Sequence, residues 1–231
     1  MSQTGSDCRR LNKSVRRILP AARIVETKIP LCPDIGLYLL SPEGMDRPYS
    51  PEEVRSILST PPYWAFCWAG GQALAAYLFE RPSLVAGKSV LDFGSGSGIC
   101  AVAAAAAGAE MVVACDSDPS ALDAIRANVV LNGVGVVTCP SLDTLSPDFD
   151  VVFAADVLYD AENGGFLKEF LKMGKDVFVA DARVKRLERK EYGKVAEKTA
   201  VTLPDLGEPE EFSHVDIYHA GRGSLRRIGM E

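Results

Sequence analysis

The chain has 231 residues, of which 47% are hydrophobic, and its formal net charge at pH 7 is −6. This length and composition are sufficient for one folded domain with a substantial hydrophobic core. The acidic balance argues against nucleic acid as the main partner, because a protein that binds phosphates needs a basic surface. The six cysteines include no C-x-x-C pair, which indicates reduced, buried thiols.

The sequence contains no apolar run long enough for a membrane span and no recognisable signal peptide. We therefore expect a cytoplasmic protein, or a mitochondrial matrix protein if the source is eukaryotic, with no membrane partner. We expect a monomer.

Basic residues are concentrated in the first part of the chain, where Leu11, Val15, Ile18 and Leu19 fall on one face of a predicted helix. Such a segment is typical of a solvated arm, a mitochondrial targeting segment or a surface for an acidic partner. We expect the solvated arm, so that a chain starting near Ala22 would stay folded and active.

The predicted organisation is a basic arm (1–24) followed by a single domain (25–231). Within the domain, residues 25–60 predict N-terminal strands and a loop, and residues 61–231 predict the core. Pro30 and Pro33 interrupt the first strands. A short helix over 51–59 follows its predicted N-cap, Ser50.

A glycine-rich turn follows the strand that ends at Phe93, in the sequence VLDFGSGSG at residues 90–98. This turn carries almost no side chains, so its backbone can approach a ligand closely. A helix over 99–107 and a strand over 111–115 come next, which completes a strand, turn, helix and strand unit.

Two classes of cofactor use such a unit. A dinucleotide fingerprint would require a small residue at position 99, and this position is Ile99. The pattern D-x-G-x-G-x-G from Asp92 to Gly98 instead resembles the first motif of the AdoMet-dependent methyltransferases. Asp92 would help to bind the ammonium of AdoMet, and Asp116, at the end of the next strand, would accept hydrogen bonds from the ribose. A dinucleotide site and a ligand-free turn are the alternatives.

The remainder of the chain continues to alternate between helix and strand. It predicts helices over 119–131, 166–173 and 183–198, the last of them charged and solvated, and strands over 134–138, 150–155, 177–180, 200–206 and 213–221. These elements predict an α/β fold, namely a doubly wound, Rossmann-like sheet of seven strands that is mostly parallel, with one antiparallel strand near its edge.

Acidic residues follow several of the predicted strands at their carboxyl ends, where such sheets bind ligands. Asp156 and Tyr159 form a D-x-x-Y motif after the strand over 150–155. The motif is typical of an acceptor site, but Asp156 could also only cap a turn, and Tyr159 could only cover the sheet.

An aromatic segment, PPYWAFCWAGGQAL, precedes the glycine-rich turn. Trp64 and Phe66 fit either core or pocket positions, whereas Trp68 precedes two glycines at a helix start, where an aromatic side chain could line a cofactor pocket. Together with LDFGSGSG, Asp116 and D-x-x-Y, this segment resembles the seven-β-strand protein lysine methyltransferases, and most closely those that methylate the β subunit of electron-transfer flavoprotein.

The resemblance implies a reaction and a set of residues. AdoMet is the implied cofactor, and a lysine of a protein, the flavoprotein β subunit, is the implied acceptor at Asp156 and Tyr159. The predicted cofactor-binding residues are Trp68, Asp92, Gly94, Ser95, Gly96, Gly98, Asp116, Ser117, Asp143 and Ala155. No metal is required. A small-molecule N-methyltransferase and a non-catalytic AdoMet-binding module are the alternatives.

Overall fold

The computed structural model describes residues 3–146, 148–158, 165–184, 186–187 and 189–221. The helices are α1 (Gln3–Val15), α2 (Pro51–Ser59), α3 (Ala69–Glu80), α4 (Ile99–Ala106), α5 (Pro119–Asn132) and α6 (Phe166–Met173). The strands are β1 (Ile24–Ile29), β2 (Cys32–Leu40), β3 (Ser89–Phe93), β4 (Met111–Cys115), β5 (Val137–Cys139), β6 (Phe149–Ala155), β7 (Gly174–Asp181), β8 (Gly193–Thr199) and β9 (His214–Gly221).

A seven-stranded sheet in the order β5-β4-β3-β6-β7-β9-β8 forms the centre of the described structure. Strands β3 to β7 pair in parallel, and β9 pairs antiparallel with both β7 and β8. This confirms the predicted doubly wound α/β fold. In the part of the chain that the structure describes, no helix is both long and apolar enough to cross a membrane.

Alternate side chains of the central strands point to opposite faces of the sheet, as the pleat requires. Val90 and Phe153 join a core shared with α3, α4 and the β1–β2 hairpin, whereas Leu91 and Val152 join a second core beneath α6. Both faces of the sheet are therefore covered, which explains why its strands are continuous apolar runs.

The described residues of the charged segment 183–198 form no helix, so this prediction was wrong. Its second half is β8, which pairs with β9 at the edge of the sheet, and Lys194 forms a salt bridge of 2.6 Å with Asp216 of β9. Ala, Glu and Lys favour a helix in isolation, but pairing with a neighbouring strand outweighs so small a propensity. Exposed charges are also typical of an edge strand.

Two predictions involving proline also need correction. Residues 200–206 form no regular strand, because Pro204 has no amide hydrogen for a ladder; Leu203 instead makes an isolated bridge with Cys67. Pro33 lies inside β2, where the register with β1 shifts between Lys28 and Ile29, and it does not end the strand.

Helix α1 packs on the domain. Leu11 and Val15 are fully buried in a core shared with α5 and β1, and Leu19, just after the helix, is 6% exposed. The Asn12 side chain fixes the following strand, because its Oδ1 accepts a hydrogen bond of 3.0 Å from Ile24 N. The expectation of a solvated arm is therefore wrong for α1: the arginines face outward while the apolar face lies in the core.

We therefore expect removal of residues 1–21 to lower the free energy of unfolding by about 4 to 9 kcal/mol, at roughly 1.5–3 kcal/mol for each buried aliphatic side chain. That loss is comparable with the whole stability of a typical domain. Leu11→Ala should cost about 2–5 kcal/mol by itself. Urea unfolding measures both.

Lys13→Ala is the matched control, because Lys13 lies on the same helix and is exposed. Its effect should stay within about 0.5 kcal/mol. Equal stability of the Leu11→Ala and Lys13→Ala variants would show that α1 does not pack as described.

Candidate active site

The glycine-rich turn joins β3 to α4. Its glycine positions have a backbone conformation and surroundings that do not accommodate side chains. Gly94, Gly96 and Gly98 have φ values of +63°, +54° and +84°, in the left-handed region that favours glycine. A Cβ atom on Gly94 would lie 2.5 Å from Cγ1 of Val157. The turn therefore packs closely against the segment after β6, and its backbone stays uncovered on the cavity side.

Asp92 and Ser95 stabilise this turn through buried hydrogen bonds. Asp92 is 2% exposed, and its Oδ2 accepts hydrogen bonds from Ser95 Oγ at 2.5 Å and from Ala101 N at 3.0 Å. Burial raises the pKa of Asp92 to about 7. Asp92 thus holds the turn against the start of α4 and lies outside the cavity lining, and its contact with the cofactor ammonium stays a prediction.

Asp116 follows β4 and joins the turn to the next loop. Its Oδ2 accepts a hydrogen bond of 2.8 Å from Gly96 N, and its Oδ1 accepts one of 3.0 Å from Asp118 N. Burial raises its pKa. Since each carboxylate oxygen can accept more than one hydrogen bond, both retain acceptor capacity.

Asp156 follows β6 in a strained conformation. Its φ of 51° is the one positive value at a non-glycine position among the described residues. Oδ2 accepts a hydrogen bond from Gly71 N and Oδ1 one from Ala182 N, each at 3.1 Å. Burial and the neighbouring Asp181 raise the pKa of Asp156 to about 7. This carboxyl therefore joins the start of α3 to the loop after β7. Tyr159, the other member of the D-x-x-Y motif, lies outside the described residues.

Gly70 packs against this carboxyl without room for a side chain. A Cβ atom there would lie 2.6 and 2.7 Å from the two carboxylate oxygens of Asp156, and 2.7 Å from the carbonyl oxygen of Ala180. We expect Gly70→Ala to lower the free energy of unfolding by about 1–3 kcal/mol, because the backbone of β7 cannot move away easily. Gly135→Ala, where a Cβ atom meets nothing within 4 Å, is the control in the same denaturant titration. Equal stability of the two variants would contradict this packing.

Trp68 caps α3 and forms one wall of the site with Arg183. Trp68 Nε1 donates a hydrogen bond of 3.0 Å to Tyr63 O. The Arg183 guanidinium lies 5.3 Å from the ring centres of both Trp68 and Phe212, and it forms an ion pair with Glu208. Arg183 was not among the predicted site residues, because the sequence around it predicts a solvated helix. Its position directly after the carboxyl end of β7 was the signal that could have identified it.

All these elements surround one cavity of about 980 Å³ at the carboxyl ends of β3, β4 and β6. Of the predicted site residues, the cavity is lined by Trp68, Gly94, Gly96, Asp116, Ser117, Asp143, Ala155 and Asp156. The predicted residues Asp92, Ser95 and Gly98 are not in the lining. The acidic side chains in the cavity lining are Asp116, Asp118, Asp143, Asp156 and Glu169. Among the described lining residues, Arg183 is the one basic side chain. The cavity is thus large enough for a cofactor together with a side chain, and it favours a cationic guest.

The fold has a solved counterpart. The described structure aligns with the 16S rRNA N2 G1207 methyltransferase (RsmC) from T. Thermophilus, solved in complex with AdoMet and guanosine, with a TM-score of 0.56, 16% identity, and coverage of 87% of this chain and 51% of that chain. The chain has the class I methyltransferase fold.

Sequence comparisons refine this result. A family model described as Ribosomal protein L11 methyltransferase (PrmA) matches residues 73–161 of this methyltransferase fold. The electron transfer flavoprotein beta subunit lysine methyltransferase of Mus musculus is 43% identical over 142 residues, which cover 57% of this chain and 52% of that protein. The Homo sapiens protein of the same name is 36% identical over 165 residues, or 70% of this chain and 62% of that protein.

The predicted resemblance to lysine methyltransferases is thereby confirmed. The matches span about half to three fifths of the length of these relatives. The PrmA model covers the segment that contains the glycine-rich turn, Asp116 and Asp156.

Proposed function

We propose that this chain is an AdoMet-dependent protein lysine methyltransferase whose acceptor is the β subunit of electron-transfer flavoprotein. The relatives that carry this name support the acceptor, and the AdoMet complex of the structural neighbour supports the cofactor. The observation that carries the proposal is the position of Asp116 and Asp156 in one cavity beside the glycine-rich turn.

The residues around the turn fit AdoMet. Gly94 and Gly96 leave backbone open toward the cavity, and Asp116 retains acceptor capacity for ribose hydroxyls. We propose that Trp68, Gly94, Gly96, Asp116, Ser117, Asp143 and Ala155 contact the cofactor directly, whereas Asp92, Ser95 and Gly98 act by shaping the turn. AdoMet supplies a sulfonium-activated methyl group when it is bound.

The charge of the cavity lining explains how a lysine side chain of the acceptor would bind. A lysine side chain has a reference pKa of about 10.4 and arrives as an ammonium, which the acidic lining attracts. We propose that Asp156, with Tyr159, holds this nitrogen. Burial of the nitrogen in the cavity disfavours the ammonium and promotes loss of its proton to solvent, which leaves the nucleophilic amine.

The proposal is tested by incubating the protein with methyl-labelled AdoMet and recombinant flavoprotein β subunit, followed by mass spectrometry of tryptic peptides. We expect the label on lysine residues of the β subunit. Label on small amines alone would favour the small-molecule N-methyltransferase, and AdoMet binding without transfer to any acceptor would favour the non-catalytic module.

The setting of this reaction is part of the proposal. We propose that the protein acts as a monomer. We place it in the cytoplasm, or in the mitochondrial matrix of a eukaryotic source, where the proposed acceptor would be available.

A further inference from the structure

Arg183 is a cation in a cavity whose other charged side chains, among the described residues, are acidic. Within the described part of the chain, its guanidinium donates one hydrogen bond, to the carboxylate of Glu208. A guanidinium carries several N–H donors in one plane, so Arg183 retains donors for a second anion.

The neighbours of Arg183 hold its guanidinium beside the cavity. The ring centres of Trp68 and Phe212 each lie 5.3 Å from it. Glu208 is held in turn, because its Oε2 accepts a hydrogen bond of 2.6 Å from Thr202 Oγ1. A cation that is already held in place loses little side-chain freedom when it binds an anion.

AdoMet would bring one anionic group into this cavity, the carboxylate of its methionine part. A helix N-terminus is the usual backbone site for such an anion. Three helices begin at this edge of the sheet with a first-turn amide already bound by a carboxylate: Gly71 N of α3 by Asp156, Ala101 N of α4 by Asp92, and Ser120 N of α5 by Asp118. The first turn of α6 contains Glu169, which lines the cavity and repels an anion.

The glycine-rich turn has also used several of its amides. Ser95 N donates to Cys115 O at 3.1 Å, and Gly98 N donates to Ser95 O at 2.7 Å. Gly96 N donates to the carboxylate of Asp116. Arg183 is therefore the positively charged donor that the described lining offers to a carboxylate.

The strand order places Arg183 on the methionine side of the cofactor. Asp116, the proposed ribose partner, follows β4, and Asp156, the proposed partner of the acceptor nitrogen, follows β6. The sheet continues from β6 to β7, and Arg183 comes two residues after the end of β7. With its ribose at Asp116 and its methyl group near Asp156, AdoMet would have its methionine part toward β7.

We propose that Arg183 binds the carboxylate of AdoMet. This inference rests on the proposed function and adds Arg183 to the proposed cofactor-binding residues. The acidic side chains of the lining repel a carboxylate elsewhere in the cavity, so this contact also fixes which way round AdoMet binds. The sulfonium methyl group is thereby kept on the side of the acceptor nitrogen.

The test uses titration calorimetry of the full chain with two ligands, AdoMet and decarboxylated AdoMet, which lacks the carboxylate. Arg183→Met removes the charge and keeps a long, flexible side chain against the two rings. Arg81→Met is the matched control. Arg81 lies 4.5 Å from the ring centre of Tyr77 and forms an ion pair with Glu80, but it is outside the cavity lining.

We expect the wild type to bind AdoMet about 10- to 100-fold more tightly than decarboxylated AdoMet, the range of a charge-assisted hydrogen bond. Arg183→Met should weaken the binding of AdoMet by about the same factor. It should not weaken the binding of decarboxylated AdoMet, because removal of a cation does not disfavour a cationic ligand. Arg81→Met should leave both affinities unchanged, and circular dichroism checks that each variant is folded.

Three results overturn the inference. Equal affinity of the wild type for the two ligands shows that no group binds the carboxylate, and this comparison needs no variant. Unchanged AdoMet affinity in folded Arg183→Met excludes Arg183 from the cofactor site. An equal loss for both ligands in this variant shows that Arg183 shapes the cavity without contacting the carboxylate.

Failure of the proposed function gives a different result. A wild-type protein that binds neither AdoMet nor decarboxylated AdoMet refutes the proposed cofactor, and the role of Arg183 with it. Methyl transfer to the flavoprotein β subunit by a wild type that does not distinguish the two ligands refutes the role of Arg183 alone.

Discussion

Asp156→Asn should reduce single-turnover methyl transfer by about 100-fold or more, while the affinity for AdoMet stays within a few-fold of the wild type. The proposed role of Asp156 is to hold the acceptor nitrogen, and asparagine has the same shape without the charge. Asparagine also tolerates the positive φ at this position, so the backbone conformation need not change. Rapid-quench methylation and calorimetric AdoMet titration on the same protein measure the two quantities.

A structural effect must be separated from the loss of charge. Both oxygens of Asp156 accept backbone hydrogen bonds, from Gly71 N and Ala182 N, and the amide group of asparagine would place a donor against one of them. Its unfolding free energy should therefore be measured, with an expected loss of about 1–3 kcal/mol.

Glu169→Gln is the charge control, because it removes an acid from the same cavity lining. Its transfer rate should stay near that of the wild type. Normal transfer by Asp156→Asn would remove Asp156 from the acceptor site and favour the small-molecule alternative.

Asp116→Ala should weaken the binding of AdoMet and of its demethylated product by about 1.5–3 kcal/mol, the range of hydrogen bonds to charged groups. In the free protein, Asp116 also accepts hydrogen bonds from Gly96 N and Asp118 N. Its loss therefore removes the proposed ribose acceptor and loosens the glycine-rich turn. Titration calorimetry measures the affinity, and circular dichroism checks that the variant is folded.

Asp123→Ala is the control for this second experiment. Asp123 lies on α5, forms an ion pair with Arg126 and is outside the cavity lining, so its removal should leave AdoMet affinity unchanged. Unchanged affinity in a folded Asp116→Ala variant would exclude Asp116 from the cofactor site. A preference of the wild-type protein for NAD over AdoMet would overturn the cofactor assignment.

The sequence predicted those parts of the site that short segments encode by themselves. Glycines in the turn after β3 mark positions that need a left-handed backbone, and this requirement is local. The ends of the parallel strands can be recognised in a sequence and must meet at one edge of the sheet, so Asp116 and Asp156 could be predicted to lie close together. Their roles in binding and transfer remain predictions.

Contacts between distant segments could not be predicted in this way. The segment that contains β8 has the composition of a helix, and only its pairing with β9 makes it a strand. Arg183 is a cavity residue because Trp68 and Phe212, which are distant in sequence, lie against its guanidinium. Local periodicity carries no information about such partners.

The sequence by itself thus determined the α/β fold, the glycine-rich turn and the acids at the strand ends, because each depends on local backbone preference or on the period of apolar residues. Only the tertiary structure decided that Asp92 stabilises the turn through buried hydrogen bonds, that α1 belongs to the core and that α2 buries none of its residues. These three outcomes depend on which surfaces meet after the chain has folded, and the same amphipathic pattern is consistent with a buried or an exposed face.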